Sequence, residues 1–97
     1  SRPAPPQPTR IHARVHGIVQ GVGFRGATRA EAERLGVAGW VRNRPDGSVE
    51  CELEGTPDVV ERLLDWLRVG PFGARVDRLD EHAVDPTGVT GFEIRRD

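Results

Sequence analysis

The chain has one cysteine, no methionine and no tyrosine, and all fourteen of its basic residues are arginine, so it has no lysine either. A lone Cys51 excludes an internal disulfide framework and any CxxC redox or zinc motif. The missing lysine excludes a Schiff base, a Walker-type phosphate lysine and a lysine general base. No apolar run approaches the roughly 20 residues that span a bilayer. The N-terminal SRPAPPQPTR lacks the apolar segment of a secretory signal. A reducing cytoplasm is the expected compartment, and no membrane partner is expected. Ninety-seven residues are enough for one domain. Its core is too small to enclose a large cofactor as well as a second lobe, and none is expected.

What is present is charge, at 30% of residues, unevenly placed. Residues 1–45 carry eight Arg and two acids, a balance of +6; residues 46–97 carry six Arg and thirteen acids, a balance of −7. Either a basic face binds nucleic acid, or the two halves fold against one another and neutralise.

Patterning favours the second. Residues 1–9 hold four prolines and no periodicity and read as a disordered tail, with the domain at 10–97. The tail's Arg2-x-x-Pro5-x-x-Pro8 matches a polyproline docking ligand, although a linker gives the same composition. Ile11, Ala13 and Val15 alternate with His12, Arg14 and His16, the period of a half-buried strand. A glycine-rich loop follows, then a helix from about Phe24 to Leu35 with Phe24, Thr28, Ala32 and Leu35 inward and Gly36 at its end. Gly39–Asn43 is a second strand, Pro45-Asp46-Gly47 a turn, and Val49, Cys51 and Leu53 mark a third strand hairpinned to the second. Thr56-Pro57 opens a second helix carrying Val60, Leu63, Leu64 and Leu67, closed by Gly70-Pro71. A fourth strand covers about Ala74 to Val84, with a bulge between Val76 and Leu79, and Phe92-Glu93-Ile94 forms a short edge strand.

The order βαββαβ plus an edge strand predicts an α+β, ferredoxin-like split βαβ sandwich: an antiparallel sheet with two helices on one face and the other face left to solvent. The first and third strands are neighbours in this topology. His12, Arg14 and His16 then face Glu50, Glu52 and Glu54, which places the basic half against the acidic half.

His12 and His16 lie about 13 Å apart on a strand, too far to share a metal ion. His82 is isolated, and no metal site is expected. Cys51 falls on the apolar side as a buried thiol. Gly21-Val22-Gly23-Phe24-Arg25-Gly26 spells G-x-G-x-x-G between a strand and a helix, with Asp46 about 20 residues on. A dinucleotide fold is excluded by the short chain and by the hairpin that replaces a second crossover. The local physics remains: glycines let amides converge where the next helix points its positive end. The loop Val19, Gln20, Gly21, Val22, Gly23, Phe24 and Arg25 is a nest for one phosphate, and inorganic phosphate or sulfate is the anion expected there. Arg25 can fork two phosphate oxygens. Asn43, at a strand end, is either a turn former or a site residue, and spacing alone leaves its distance from the loop open. Asp46 reads as a turn residue.

Gly17-x-Val19-Gln20-Gly21-Val22-Gly23-Phe24-Arg25 and Gly39-Trp40-Val41-Arg42-Asn43-x-x-Asp46-Gly47 resemble the acylphosphatase family. So do Gly70-Pro71, Ala74-x-Val76 and Phe92-x-Ile94, and the resemblance spans residues 10–96. It implies a ferredoxin-like, metal-free hydrolase of small acyl phosphates, with Arg25 binding phosphate and Asn43 orienting water. Gly26-Ala27 departs from the family, whose members often carry bulkier residues there. Two alternatives share the fold. One is a phosphate- or nucleic-acid-binding module without catalysis, although the first and third strands offer no Phe or Tyr for stacking and their glutamates repel a polyanion. The other is a carbamoyl-phosphate-handling module of a hydrogenase maturation protein, against which the short chain favours a free-standing enzyme. A monomer is expected.

Overall fold

A computed structural model describes residues 7–96. The elements run β1 (Thr9–Ile18), α1 (Phe24–Leu35), β2 (Ala38–Asn43), β3 (Val49–Gly55), α2 (Pro57–Leu67), β4 (Arg75–Val84) and β5 (Phe92–Ile94). The sheet order is β4-β1-β3-β2-β5. Four strands pair antiparallel, as alternation predicted. β5 instead pairs parallel with β2, so the sheet is mixed. The cause is the route of the chain. β4 and β5 lie at opposite edges, so the segment between Val84 and Phe92 crosses the molecule and enters β5 running with β2.

Both helices pack on one face, α1 over β2 and β5, α2 over β1 and β3. The core between the layers holds Ala13, Val15, Val41, Val49, Cys51 and Leu53 from strands, and Phe24, Ala32, Val60, Leu63, Leu64 and Leu67 from helices. Burying a Val, Leu or Phe side chain contributes about 1.5–3 kcal/mol. Thr28 satisfies its buried hydroxyl by donating to the Phe24 carbonyl at 2.7 Å. Gly36 closes α1 in the left-handed conformation, with the Val37 N–H donating to the Ala32 carbonyl. At α2, Thr56 holds the N-cap position, but its hydroxyl meets the Asp58 carboxylate at 2.5 Å instead of a backbone amide.

Thr9, part of the tail by composition, is the first residue of β1 and pairs with Gly55. The docking match begins at Arg2 and lies mostly outside the described residues. The bulge falls between Val76 and Leu79: His16 pairs with Arg78 and Gly17 with Val76, which leaves Asp77 unpaired.

The second face of the sheet is less open than alternation implied. His12 is opposite Glu52 and Arg14 opposite Glu50, and Arg10 extends the ladder opposite Glu54. Arg10 donates to Glu52 at 2.6 Å and to Glu54 at 2.8 Å. His12 Nε2 lies 2.6 Å from Glu50, to which Arg42 also donates at 2.6 Å. His16 turns to the other neighbour, 3.1 Å from Asp80 on β4. Glu54 accepts from the backbone N–H groups of Thr87 and Gly88 at 2.9 and 2.7 Å, which pins the β4–β5 crossover to this face. Arg42 and Arg95 cover Trp40, their guanidinium carbons 5.2 and 4.8 Å from its ring centre. Arg10, Glu50 and Glu54 are consequently buried.

Candidate functional site

Three strands of this sheet, β1, β2 and β5, run in one direction. Their C-terminal ends therefore meet at one end of the molecule, where α1 also begins. Sequence spacing left the distance from Asn43 to the glycine loop open; parallel β1 and β2 bring their ends together. A hollow of about 210 Å³ lies there, lined by Val19, Gln20, Gly21, Gly23, Phe24, Arg25 and Gly26, and by Asn43, Ile94 and Arg96. Larger hollows of about 520 and 380 Å³ sit by the crossover at the opposite end, away from both the loop and Asn43.

The loop is shaped by Gly21 and Gly23, at φ 77° and 74°, a region that side chains with a Cβ rarely enter. A methyl at either would meet nothing within 4 Å, so conformation and not crowding requires glycine. Gly23 caps α1, and its carbonyl accepts the first helical bond, from the Ala27 N–H at 3.0 Å. Among the described residues, the amides of Gln20, Gly21, Val22 and Gly23 donate to no protein acceptor. The first-turn amides of α1 are likewise unpaired within the helix by construction. The α1 dipole adds positive potential at the same place.

Val19 and Phe24 are buried and anchor the loop at both ends, and Phe24 also meets the Trp66 ring at 5.8 Å between centres. Val22 packs against the core and does not line the hollow. Gln20 does more than border it. Its side-chain amide donates to the carbonyls of Arg44 at 2.7 Å and Ser48 at 2.9 Å. That ties the loop to the β2–β3 turn just past Asn43. The turn is closed by Asp46, whose carboxylate accepts from the Ser48 N–H and hydroxyl at 2.9 and 2.6 Å. The Ser48 hydroxyl holds the Asp46 carboxyl below its usual range, in keeping with a turn residue.

Arg25, the second residue of α1, is half-buried, and its guanidinium has no hydrogen bond or ion pair with any described residue. Most other arginines here are paired, which makes an unpaired guanidinium on a hollow of free amides distinctive. Asn43 is also half-buried, and its side-chain amide has no partner among the described residues. Among the described residues, the lining offers no carboxylate, imidazole or thiol to a metal ion. Cys51 is far from reactive: burial, helped by Glu50 and Glu52, pushes its thiol up to about 12. Gly26, Ile94 and Arg96 were not read from the sequence as site residues. The signal for the last two was register. Val41 pairs with Ile94, so two residues on, Asn43 and Arg96 reach the same end on the same face.

The arrangement is a hollow lined by unpaired amides and two guanidinium groups. A family model, Acylphosphatase, matches residues 11–94. An acylphosphatase of Gloeobacter violaceus is 55% identical over 90% of this chain and 94% of its own length. The structure of an acylphosphatase from Coxiella burnetii superposes with a TM-score of 0.88 at 38% identity, over 91% of this chain and 93% of that one. HypF of T. kodakarensis matches 92% of this chain with 12% of its own, at a TM-score of 0.77 and 33% identity. The chain belongs to the acylphosphatase family and is a hydrolase acting on acyl phosphates.

Proposed function

We propose that the hollow at the start of α1 binds the phosphoryl group of a small acyl phosphate and hydrolyses it without a metal ion. The loop amides between Val19 and Arg25 and the Arg25 guanidinium hold the phosphoryl oxygens. The Asn43 amide, which both donates and accepts, orients a water in line with the bond to be cleaved. The water oxygen bonds to phosphorus, and the bond from phosphorus to the acyl oxygen breaks. The electron pair leaves with the carboxylate, and a phosphoryl oxygen takes the water's proton. Acyl phosphate and water thus become carboxylate and dihydrogen phosphate. A carboxylate is a good leaving group and needs no strong general acid. The site's task is positioning and spreading charge, which fixed amides and a permanently charged guanidinium perform. The observation that carries this reading is the unpaired, half-buried Arg25 sharing a hollow with Asn43 and free amides.

The test is hydrolysis of benzoyl phosphate beside a simple phosphate monoester, with inorganic phosphate as competitor. Wild type turns over the first and not the second. Arg25→Ala loses turnover and phosphate inhibition together. Asn43→Ala loses turnover by about 10²-fold or more, the scale for a group acting on the transition state, and keeps phosphate inhibition within about twofold. Near wild-type rates in both variants would place the chemistry elsewhere. The reading further takes the enzyme as a cytoplasmic monomer; gel filtration checks the second point. No helix among the described residues is long and apolar enough to cross a membrane.

A further inference from the structure

The hollow has a second guanidinium that phosphate capture does not require. Arg95 and Arg96 are adjacent, but strand alternation sends them to opposite faces. Arg95 goes to the charged face, over Trp40 and 2.8 Å from Glu93, with its N–H donating to the Val41 carbonyl. Arg96 continues the parity of Ile94 and lines the hollow beside Asn43. It is exposed and has no hydrogen bond or ion pair with any described residue. Arg25 and the loop amides stand at the α1 side of the hollow, while Arg96 comes from the β5 side. Both guanidinium groups thus line one hollow of about 210 Å³.

We propose that Arg96 is a specificity residue that reads the acyl end of the substrate, favouring acyl phosphates whose acyl chain carries a second negative charge, such as a carboxylate. This rests on the reading of the hollow as the phosphoryl site. The phosphoryl group takes Arg25 and the loop amides, which leaves Arg96, an unpaired cation, on the same lining. A carboxylate on a short acyl chain meets that cation, while an uncharged chain leaves it in water. Exposure limits the preference to about three- to fivefold, and salt weakens it.

Two stable phosphonates separate this idea from its foundation, because they report binding and not turnover. Calorimetry compares 3-phosphonopropionate with propylphosphonate, which lacks the carboxylate. Wild type binds the first about three- to fivefold more tightly at low salt, and the ratio narrows at high salt. In Arg96→Gln the ratio falls to between one and two, with propylphosphonate affinity kept. In Arg25→Ala both ligands are lost. A ratio that persists in Arg96→Gln overturns the proposal, as does equal weakening of both ligands, which would assign Arg96 to the phosphoryl group. A wild-type ratio near one overturns it as well. Undiminished binding of both ligands to Arg25→Ala instead overturns the phosphoryl reading itself.

Discussion

Gln20 shows how one side chain fixes a site without touching its reaction. Its amide bridges the carbonyls of Arg44 and Ser48, so the glycine loop and the turn after Asn43 are tied together. Gln20→Ala removes both bonds and leaves two carbonyls to water or to nothing. Each net hydrogen bond contributes about 0.5–1.5 kcal/mol, so the variant is expected to lose about 1–3 kcal/mol in a denaturant titration. Its kcat should fall by more than its KM rises, because Asn43 loses its fixed distance from the loop. Unchanged kcat in a folded Gln20→Ala protein would refute the linkage. Gly26 gives the opposite case. It lies in the first turn of α1, and a methyl there meets nothing within 4 Å. Gly26→Ala should therefore stabilise the protein by about 0.5–1 kcal/mol, seen as a Tm higher by several degrees. At this scale Arg25 and the loop were legible in the sequence, because glycine spacing before a helix has a direct electrostatic meaning. Arg96 was not, because its position depends on a pairing partner forty or more residues away in the chain. Gln20 was named for its backbone, and its side chain acts on a turn that only the fold brings near.

Elements were legible wherever one face is apolar. The four inward positions of α2 and the alternation in β1 and β3 name the same residues that the core holds. β5 was legible as a strand but not in its direction, since three residues carry no sign of where the preceding chain has crossed. The crossover is held by Glu54, a residue whose alternation predicted only a solvated rung. Burial pushes its carboxyl up, but the Thr87 amide, the Arg10 guanidinium and the Gly88 amide outweigh this and hold it down at about 2, from an ordinary 4.5. Arg10 shows the reciprocal effect: burial lowers it, and Glu54 and Glu52 more than restore it. A carboxyl that is depressed on folding stabilises the native state above its unfolded value and loses that contribution as pH falls toward the folded one. Melting temperature should thus decline between about pH 5 and pH 2. Glu54→Gln should lower Tm at pH 7 and flatten this part of the acid limb, because Gln cannot accept charge-assisted bonds from Arg10 and two amides. An acid limb as steep in the variant as in wild type would assign the effect to other carboxylates. Glu50, held low by His12 and Arg42 against burial, is the first of these to test.

At the scale of the molecule, the +6 and −7 halves are reconciled by β1 lying against β3, not by a basic face turned outward. The formal net charge is only −1, and two guanidinium groups without an ion pair among the described residues, Arg25 and Arg96, share the hollow. The anion binding proposed for the hollow links it to folding, because the unfolded chain has no converged amides and no helix end. A ligand that binds only the native state stabilises it by RT ln(1 + [L]/Kd), about 2.7 kcal/mol at a hundredfold excess over Kd. For a domain of this size each kcal/mol moves Tm by about 4–8 °C, so saturating phosphate should raise Tm by about 10 °C or more. Sulfate, of the same shape, should act in the same direction. Asn43→Ala should keep the rise, since its amide is assigned to the water, and Arg25→Ala should lose it. Adding a chelator should leave the phosphate-induced rise unchanged, because among the described residues the lining contributes only amides, guanidinium groups and apolar carbon. If phosphate raises Tm equally in wild type and Arg25→Ala, the anion is bound elsewhere, and the convergence of β1, β2 and β5 at this end has another purpose.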